Sequence, residues 1–380
     1  MDPIVIVGSG LAGYTVAKEY RKLKSDDVVL ITQDDGAFYS KPMVSNALAK
    51  NKTSEQLVIA SAVKMSEDNN LRVICNTSVS NINLAEKKII TSSGDELVYS
   101  QLVLATGATP IEIDLAMESS VAKKFFHVNS LRDYALFRDA LAFSKRVAII
   151  GSGFIGCEFA NDLAQAGYKV DIIGKSEYPL DKWVPEAVGE FLKSALSSVG
   201  VRWHLQTTLE SVHETESGVA LLLENGIQIE ADIILSAIGL KPNLKLAERV
   251  GIKTRRGILV DKFLHTSERG IFALGDCSEL DGHILPFIIP LMTEARALAK
   301  TLAGVATAVE YPVMPVVVKT PVSPLVICPH DKGIAGRWVI EASETGVKAR
   351  FQDKNKQLRG FCLIGDSISE KQSLVKLLKN

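Results

Sequence analysis

Short, unbroken apolar runs closed by small-residue turns recur along the chain. Val5-Ile6-Val7 leads into Gly8-Ser9-Gly10-Leu11-Ala12-Gly13, and Ala148-Ile149-Ile150 leads into Gly151-Ser152-Gly153-Phe154-Ile155-Gly156. Runs without polar alternation read as strands covered on both faces, because a half-solvated strand would alternate with period two. After the first hexad the pattern predicts a helix from Tyr14 to Leu23 and a strand from Val28 to Thr32; after the second, a helix beginning near Phe154 and a strand Val170–Ile173. Leu102–Leu104, Ile233–Leu235 and Ile271–Ala273 are further apolar runs that end in small-residue turns. Pro290–Lys300 reads as a helix with proline in its first turn. Beyond Tyr311 the character changes. Five short β-like runs (Val316–Val318, Leu325–Ile327, Trp338–Ile340, Lys348–Phe351, Gly360–Leu363) precede a helix from about Ser369 to Lys379. Pro312, Pro315, Pro321, Pro324 and Pro329 make the entry to this region a rigid, turn-rich connector.

The two hexads begin 143 residues apart and share one chemistry. In strand, G-x-G-x-x-G, helix, the first glycine makes the tight turn and the second lets the backbone approach a pyrophosphate. The third lets the helix pack on the strand, and the helix N-terminus offers unpaired N–H donors to the anion. Asp34, 21 residues beyond Gly13, stands where an acid holds a ribose hydroxyl; Asp35 reads equally as part of a polar turn with Gly36. The equivalent strand of the second copy ends in Gly174-Lys175-Ser176-Glu177, with no acid at its end, so NADH and NADPH both stay open. Lys175 is either a partner for a 2′-phosphate or a solvated surface lysine.

Composition narrows the classes. Among 380 residues, 43 basic and 44 acidic side chains give a net charge of -1, which excludes a dedicated nucleic-acid binder. With 47% hydrophobic residues the chain has the material for two or three packed units. The apolar segment Ile284–Met292 is short and holds Pro286 and Pro290, so no membrane helix is expected. Five cysteines (Cys75, Cys157, Cys277, Cys328, Cys362) form no Cys-x-x-Cys pair, so neither a disulfide framework nor a metal site is expected. The start of the chain, Met1-Asp2-Pro3 followed at once by a strand, has no export pattern, and a cytoplasmic location is the expectation.

The two hexads, Leu102–Ala108, Ile233–Asn243 and Ile271–Cys277 in this order resemble the two-dinucleotide-binding-domain flavoproteins, a pyridine nucleotide oxidoreductase family. Phe38–Ser45, Met314–Pro321 and Cys157-Glu158-Phe159-Ala160-Asn161-Asp162-Leu163 extend the likeness to the rubredoxin reductase family over essentially the whole chain. The resemblance implies an α/β fold with two Rossmann-like dinucleotide-binding domains and a small α+β C-terminal domain. An FAD domain would be discontinuous, 1–112 and 241–311; an NAD(P)H domain, 113–240, would be inserted; the C-terminal domain would be 312–380. By the same resemblance FAD would lie on Gly8, Ser9, Gly10, Leu11, Ala12, Gly13 and Asp34, with Lys41, Pro42, Thr106, Gly107 and Ile288 also in contact. Asp276 would bind the ribityl chain and Val79 the adenine through its backbone. NADH or NADPH would lie on Gly151, Gly153, Phe154, Ile155 and Gly156, with Glu158 and Gly239 close by.

One departure stands out. Ferredoxin-reductase relatives carry Pro-x-Leu-Ser-Lys with the lysine facing the flavin, whereas here Ser45 is followed by Asn46. The positive group would then come from Lys41 or from Lys319, a lysine in a Val-rich strand whose natural partner is Glu158; Lys319 and Glu158 are thus the candidate flavin-tuning pair. The alternatives are an edge-strand lysine that blocks sheet pairing and, for Lys41, a surface position in a turn. The implied activity is electron transfer from NAD(P)H through FAD to rubredoxin, a small acidic carrier, in transient complexes. Lys41, Lys319, Arg337 and Lys348 are candidates for steering it. Without a Cys-x-x-Cys relay, electrons would leave the flavin directly. The positive end of the Pro290 helix is a candidate stabiliser of the reduced ring. A ferredoxin-type reductase, an NADH oxidase of the same fold and an FAD/NADH redox-sensing binding protein are the competing readings.

Overall fold

The computed structural model describes residues 2–331 and 333–378. The chain forms two compact units. One comprises the residues up to Lys41, Glu55–Thr109 and Leu240–Pro312; the other comprises Pro42–Ser54, Pro110–Gly239 and the chain from Val313 onward.

In the first unit the apolar runs form a five-stranded parallel sheet in the order Ile271–Ala273, Gln101–Leu104, Ile4–Val7, Val28–Ile31, Arg72–Ile74. The hexad strand is central, and Ile4 lies opposite both Val28 and Gln101. All four residues of Ile4–Val7 and of Val28–Ile31 are buried, as a sheet covered on both faces requires. Helices Leu11–Arg21 and Ile288–Leu302 pack together on one face with Ile6, Leu30 and Val103. The other face is covered by a three-stranded antiparallel sheet, Val79–Asn83, Lys88–Thr91 and Glu96–Val98, through Ile82 and Ile89.

The second unit repeats the plan: Phe125–Phe126, Ile233–Ser236, Arg146–Ile150, Lys169–Gly174, Val201–Leu205, again parallel with the hexad strand central. A three-stranded antiparallel sheet, Leu209–Thr215, Gly218–Leu223 and Gln228–Ala231, covers one face. The C-terminal part of this unit is a five-stranded antiparallel sheet whose strands contain all five expected runs. A helix, Lys371–Leu378, packs on it through Leu374. The expected end of that helix, Lys379, lies outside the described residues.

Several boundaries differ from the sequence reading, most of them at element ends by one or two residues. The first hexad helix starts at Leu11 rather than Tyr14, because Gly10 is its N-cap and Gly13 already lies inside it. The Pro290 helix starts at Ile288; proline is tolerated in a first turn, whose N–H groups have no intrahelical partner anyway. Lys319 lies just beyond the strand Val316–Val318 rather than in it.

Buried polar side chains of the helix Phe154–Gln165 gather separate segments into the second unit. The Asp162 carboxylate accepts from the Leu48 and Ala49 N–H groups at 2.8 and 3.0 Å, and Asn161 Oδ1 accepts from the Val322 N–H at 3.2 Å. Burying polar groups on a helix face is costly, and the backbone N–H groups of distant loops offset part of that cost, although Asn161 Nδ2 is left without a partner. Burial pushes Asp162 up to about 6, against the opposing pull of those N–H groups.

Candidate functional site

The two glycine turns are built alike. In the first, Gly8 has φ +114°, and a Cβ there would lie 2.2 Å from the Ala105 carbonyl oxygen; a Cβ on Gly13 would lie 1.9 Å from the Gly8 oxygen. In the second, Gly151 has φ +115° with the Ala237 oxygen 2.5 Å from its ideal Cβ, and a Cβ on Gly156 would lie 2.0 Å from the Gly151 oxygen. The outer glycines are therefore demanded by the fold. The middle ones are not. Gly10 (φ -64°, ψ 179°) and Gly153 (φ -82°, ψ -170°) have backbone conformations open to any residue, and a Cβ on either would meet nothing within 4 Å. Clear space over a helix N-terminus without a side-chain cap, at a position the fold does not require to be glycine, fits a diphosphate seated on the backbone.

Around the first turn the predicted residues converge within the first unit. Ser9 is buried, and its hydroxyl donates to Asp34 Oδ1 at 3.0 Å; the Thr32 hydroxyl and the Gly36 N–H donate to the same oxygen at 2.6 and 3.0 Å. Asp34 is thus exposed yet fixed in orientation. Leu11 and Ala12 open the helix. Asp276 lies in the turn Gly275–Cys277, where a Cβ on Gly275 would come within 3.2 Å of Ala12 Cβ, so this turn abuts the hexad helix. Burial raises the Asp276 pKa, and the charge of Lys41 opposes the rise. Thr106 and Gly107 are clamped by Asn243: its amide donates to the Thr106 oxygen at 2.7 Å, its N–H to the Gly107 oxygen at 2.9 Å, and the Thr106 hydroxyl donates to the Asn243 oxygen at 3.1 Å. Val79 starts a strand and packs into the core beneath the sheet. Ile288 is exposed at the start of its helix, which has no side-chain cap and no acid in its first turn.

In the second unit Phe154 starts the hexad helix and Ile155 is exposed beside it. Gly239 has φ +120°. The strand equivalent to the one that leads to Asp34 ends at Gly174, where a Cβ would lie 2.6 Å from Ser152 Oγ, and Lys175 is exposed. Two residues beyond Gly156, Glu158 is buried and collects three donors: the Lys319 N–H at 2.9 Å, the Ser45 hydroxyl at 2.5 Å and the Lys319 ammonium. The ammonium also reaches Ser45 Oγ at 2.8 Å, and Asn46 Nδ2 donates to the Lys319 carbonyl at 3.0 Å. Pro42 shares this segment, its carbonyl 3.4 Å from Ser45 Oγ. Lys319 is therefore turned onto a carboxylate instead of standing free at a sheet edge.

Four residues had been given no role by the sequence: Ser45, Asn243, Glu294 and Tyr311. Glu294 is buried and accepts from the Gly275 N–H at 2.8 Å and the Tyr311 hydroxyl at 2.7 Å, anchoring the turn that presents Asp276. Burial pushes the Glu294 carboxyl up, and both hydrogen bonds oppose it. Of the steering cations, two are already paired: Lys319 with Glu158, and Lys348 with Glu341 at 2.7 Å and Glu370 at 3.1 Å. Arg337 is exposed on the strand Gly336–Ala342. The five cysteines are free, and Cys157 is fully buried, its thiol raised by burial and directed at the Ser152 carbonyl. Its place is in packing.

Residues 2–300 match the family model for pyridine nucleotide-disulphide oxidoreductases. The chain belongs to that family. Residues 308–378 match a second model, the rubredoxin binding C-terminal domain. Among curated relatives, a rubredoxin-NAD(+) reductase of Alcanivorax borkumensis is 45% identical, the alignment covering 100% of this chain and 99% of the relative. Its counterpart from Acinetobacter baylyi is 43% identical, with coverage of 100% and 98%. Among solved structures, putidaredoxin reductase in covalent complex with putidaredoxin aligns with a TM-score of 0.90 at 24% identity, over 99% of this chain and 93% of that one. NADH:rubredoxin oxidoreductase of Clostridium acetobutylicum aligns with a TM-score of 0.82 at 24% identity, over 99% and 94%. These two structures establish the oxidoreductase fold. No helix among the described residues is long and apolar enough to cross a membrane.

The geometry separates the glycines by substitution. Gly10→Val is expected to leave the circular dichroism spectrum and melting temperature of the apoprotein near wild type, because a Cβ there meets nothing within 4 Å, while abolishing flavin retention. Gly13→Ala is expected to lower both stability and flavin content, since its Cβ meets backbone. A yellow Gly10→Val protein would contradict the placement of a diphosphate there.

Proposed function

We propose that this protein is an FAD-dependent reductase that carries electrons from NADH to rubredoxin. The observation that carries the reading is the pair of equivalent turns whose middle glycine alone faces open space, in a chain aligned end to end with relatives named rubredoxin-NAD(+) reductase. In this reading FAD lies on Gly8–Gly13, with Asp34 receiving an adenosine ribose, Thr106, Gly107 and Val79 lining its path, and Asp276 the ribityl chain. NADH lies on Gly151–Gly156, with Phe154, Ile155 and Gly239 at its edge. The absence of an acid at Gly174 leaves the ribose of the second nucleotide to other groups, and the choice of NADH follows the relatives' names. The three-domain division, 1–112 with 241–311, 113–240 and 312–380, and a cytoplasmic location belong to the same reading.

FAD, when bound, supplies a carrier that accepts two electrons from NADH and releases them one at a time to an iron acceptor. The chain's own part is to bind, orient and bias charge. The backbone N–H groups at the two hexads would hold the diphosphates, and the fixed carboxylate of Asp34 with the anchored turn that carries Asp276 would set the register of the flavin nucleotide. Lys319, with its ammonium held by Glu158 and Ser45, supplies the positive group in place of the lysine that Asn46 replaces, and Lys41 lowers the cost of Asp276. Ile288 and the uncapped N-terminus of its helix present an apolar edge and a partial positive charge. No thiol takes part.

The direct test is steady-state electron transfer from NADH by the FAD-loaded protein to purified rubredoxin, to ferredoxin and to oxygen alone. Rubredoxin is expected to be reduced fastest, and faster consumption of oxygen without added carrier would overturn the reading in favour of an oxidase. For Lys319→Ala, FAD content is expected to stay near wild type while the flavin midpoint potential falls by a few tens of millivolts, about 30 mV for each ~1.4 kcal/mol lost from the reduced form. An unchanged potential would remove Lys319 from the flavin's surroundings.

A further inference from the structure

The segment after Lys169–Gly174 is fastened to the second cradle. Leu180, fully packed in the core, is held at φ +62°, a left-handed conformation that a leucine adopts only where its surroundings impose it. Its N–H donates to the carbonyl of Ser152, in the middle of the glycine turn, at 3.1 Å. The Leu180 carbonyl in turn accepts from the N–H groups of Trp183 and Val184 at 2.8 and 3.2 Å. The Tyr178 ring fills the space beside Gly189, where a Cβ would lie 2.3 Å from it. On the far side the Cys362 thiol, from the C-terminal sheet, approaches the Trp183 carbonyl at 3.8 Å.

What this braced turn delivers is one side chain. The Trp183 ring lies 5.2 Å from the Phe154 ring, centroid to centroid, tilted by 51°. Phe154 is the first residue of the hexad helix and follows Gly153, whose missing side chain leaves the cradle open. Trp183 keeps 38% of its surface exposed, more than a tryptophan present to fill a core would keep.

We propose that Trp183 is a positioning residue for the nicotinamide dinucleotide, fixing the Phe154 ring at the edge of the second cradle so that a nucleotide lying over Gly153 meets a preset aromatic wall. The inference rests on the reading that this cradle binds NADH. A ring already held in place loses no rotamer freedom when the ligand arrives, so its contact contributes fully to binding. Trp183 acts through Phe154, and the two side chains therefore behave as one unit.

The test uses FAD-loaded, full-length wild type, Trp183→Ala, Trp183→Phe, Phe154→Ala and the double alanine variant. NADH affinity and the limiting rate of flavin reduction are measured by anaerobic rapid mixing. Trp183→Ala is expected to weaken NADH binding about tenfold, with little change in the limiting rate, and Trp183→Phe to restore most of the affinity. The double variant is expected to bind no more weakly than Phe154→Ala alone. Tryptophan emission provides the second readout: NAD+ is expected to alter it in the wild type and to lose that effect in Trp183→Phe. Wild-type affinity in Trp183→Ala, additive losses in the double variant, or an unchanged emission response in Trp183→Phe would each overturn the proposal. A wild-type protein that binds FAD but no NADH would instead remove the reading of the cradle on which the proposal rests.

Discussion

Both glycine turns depend on one close approach, that of the third hexad glycine to the carbonyl of the first. With ideal Cβ positions 1.9 and 2.0 Å from those oxygens, the helix can begin over the strand end only when no side chain stands there. This contact fixes where the helix N-terminus points, and so where its unpaired N–H groups face. Everything else at the first turn is registered against it. Ser9 orients Asp34, and the turn carrying Asp276 abuts Ala12. The middle glycine is the exception, because neither the backbone nor any neighbour requires it.

A second device recurs around this framework. Glu158, Asp162, Glu279 and Glu294 are buried carboxylates, and each accepts from backbone N–H groups of a segment far away in sequence: Lys319, Leu48 and Ala49, Gly257, and Gly275. Desolvating a carboxylate is expensive, and backbone donors that would otherwise be unpaired offset part of the cost. Each pairing fixes a loop that no regular secondary structure would hold. At Glu158 the same carboxylate also holds an ammonium, so the anchor for Lys319 and the partner of its charge are one group. Charge placement and chain tracing are thereby joined.

Local repetition made the framework legible. Val5–Val7 before Gly8 and Ala148–Ile150 before Gly151 carry the strand, turn and helix within about a dozen residues, so their pattern survives without knowledge of the rest of the chain. The pairing of Lys319 with Glu158 was also readable, since a lysine among valines needs an acid. Ser45 was not: its link to Glu158 spans 113 residues, and nothing in Pro42-Met43-Val44-Ser45 separates it from an ordinary turn serine. Asn243 clamps Thr106 across 137 positions, and Glu294 stands in an amphipathic helix where an acid usually faces water. The left-handed conformation of Leu180 breaks the preference of its own residue type, which is why Trp183 carried no signal. Helix starts were misjudged where glycine and proline, normally breakers, sit in a first turn that tolerates them.

In the proposed function the two turns seat two different nucleotides, one resident and one passing. The most direct test is the visible spectrum of the purified protein under anaerobic conditions, before and after stoichiometric NADH. Flavin bands at one FAD per chain that bleach on NADH addition are the predicted result. A protein that stays colourless after incubation with excess FAD, or whose flavin bands are untouched by NADH, would contradict it.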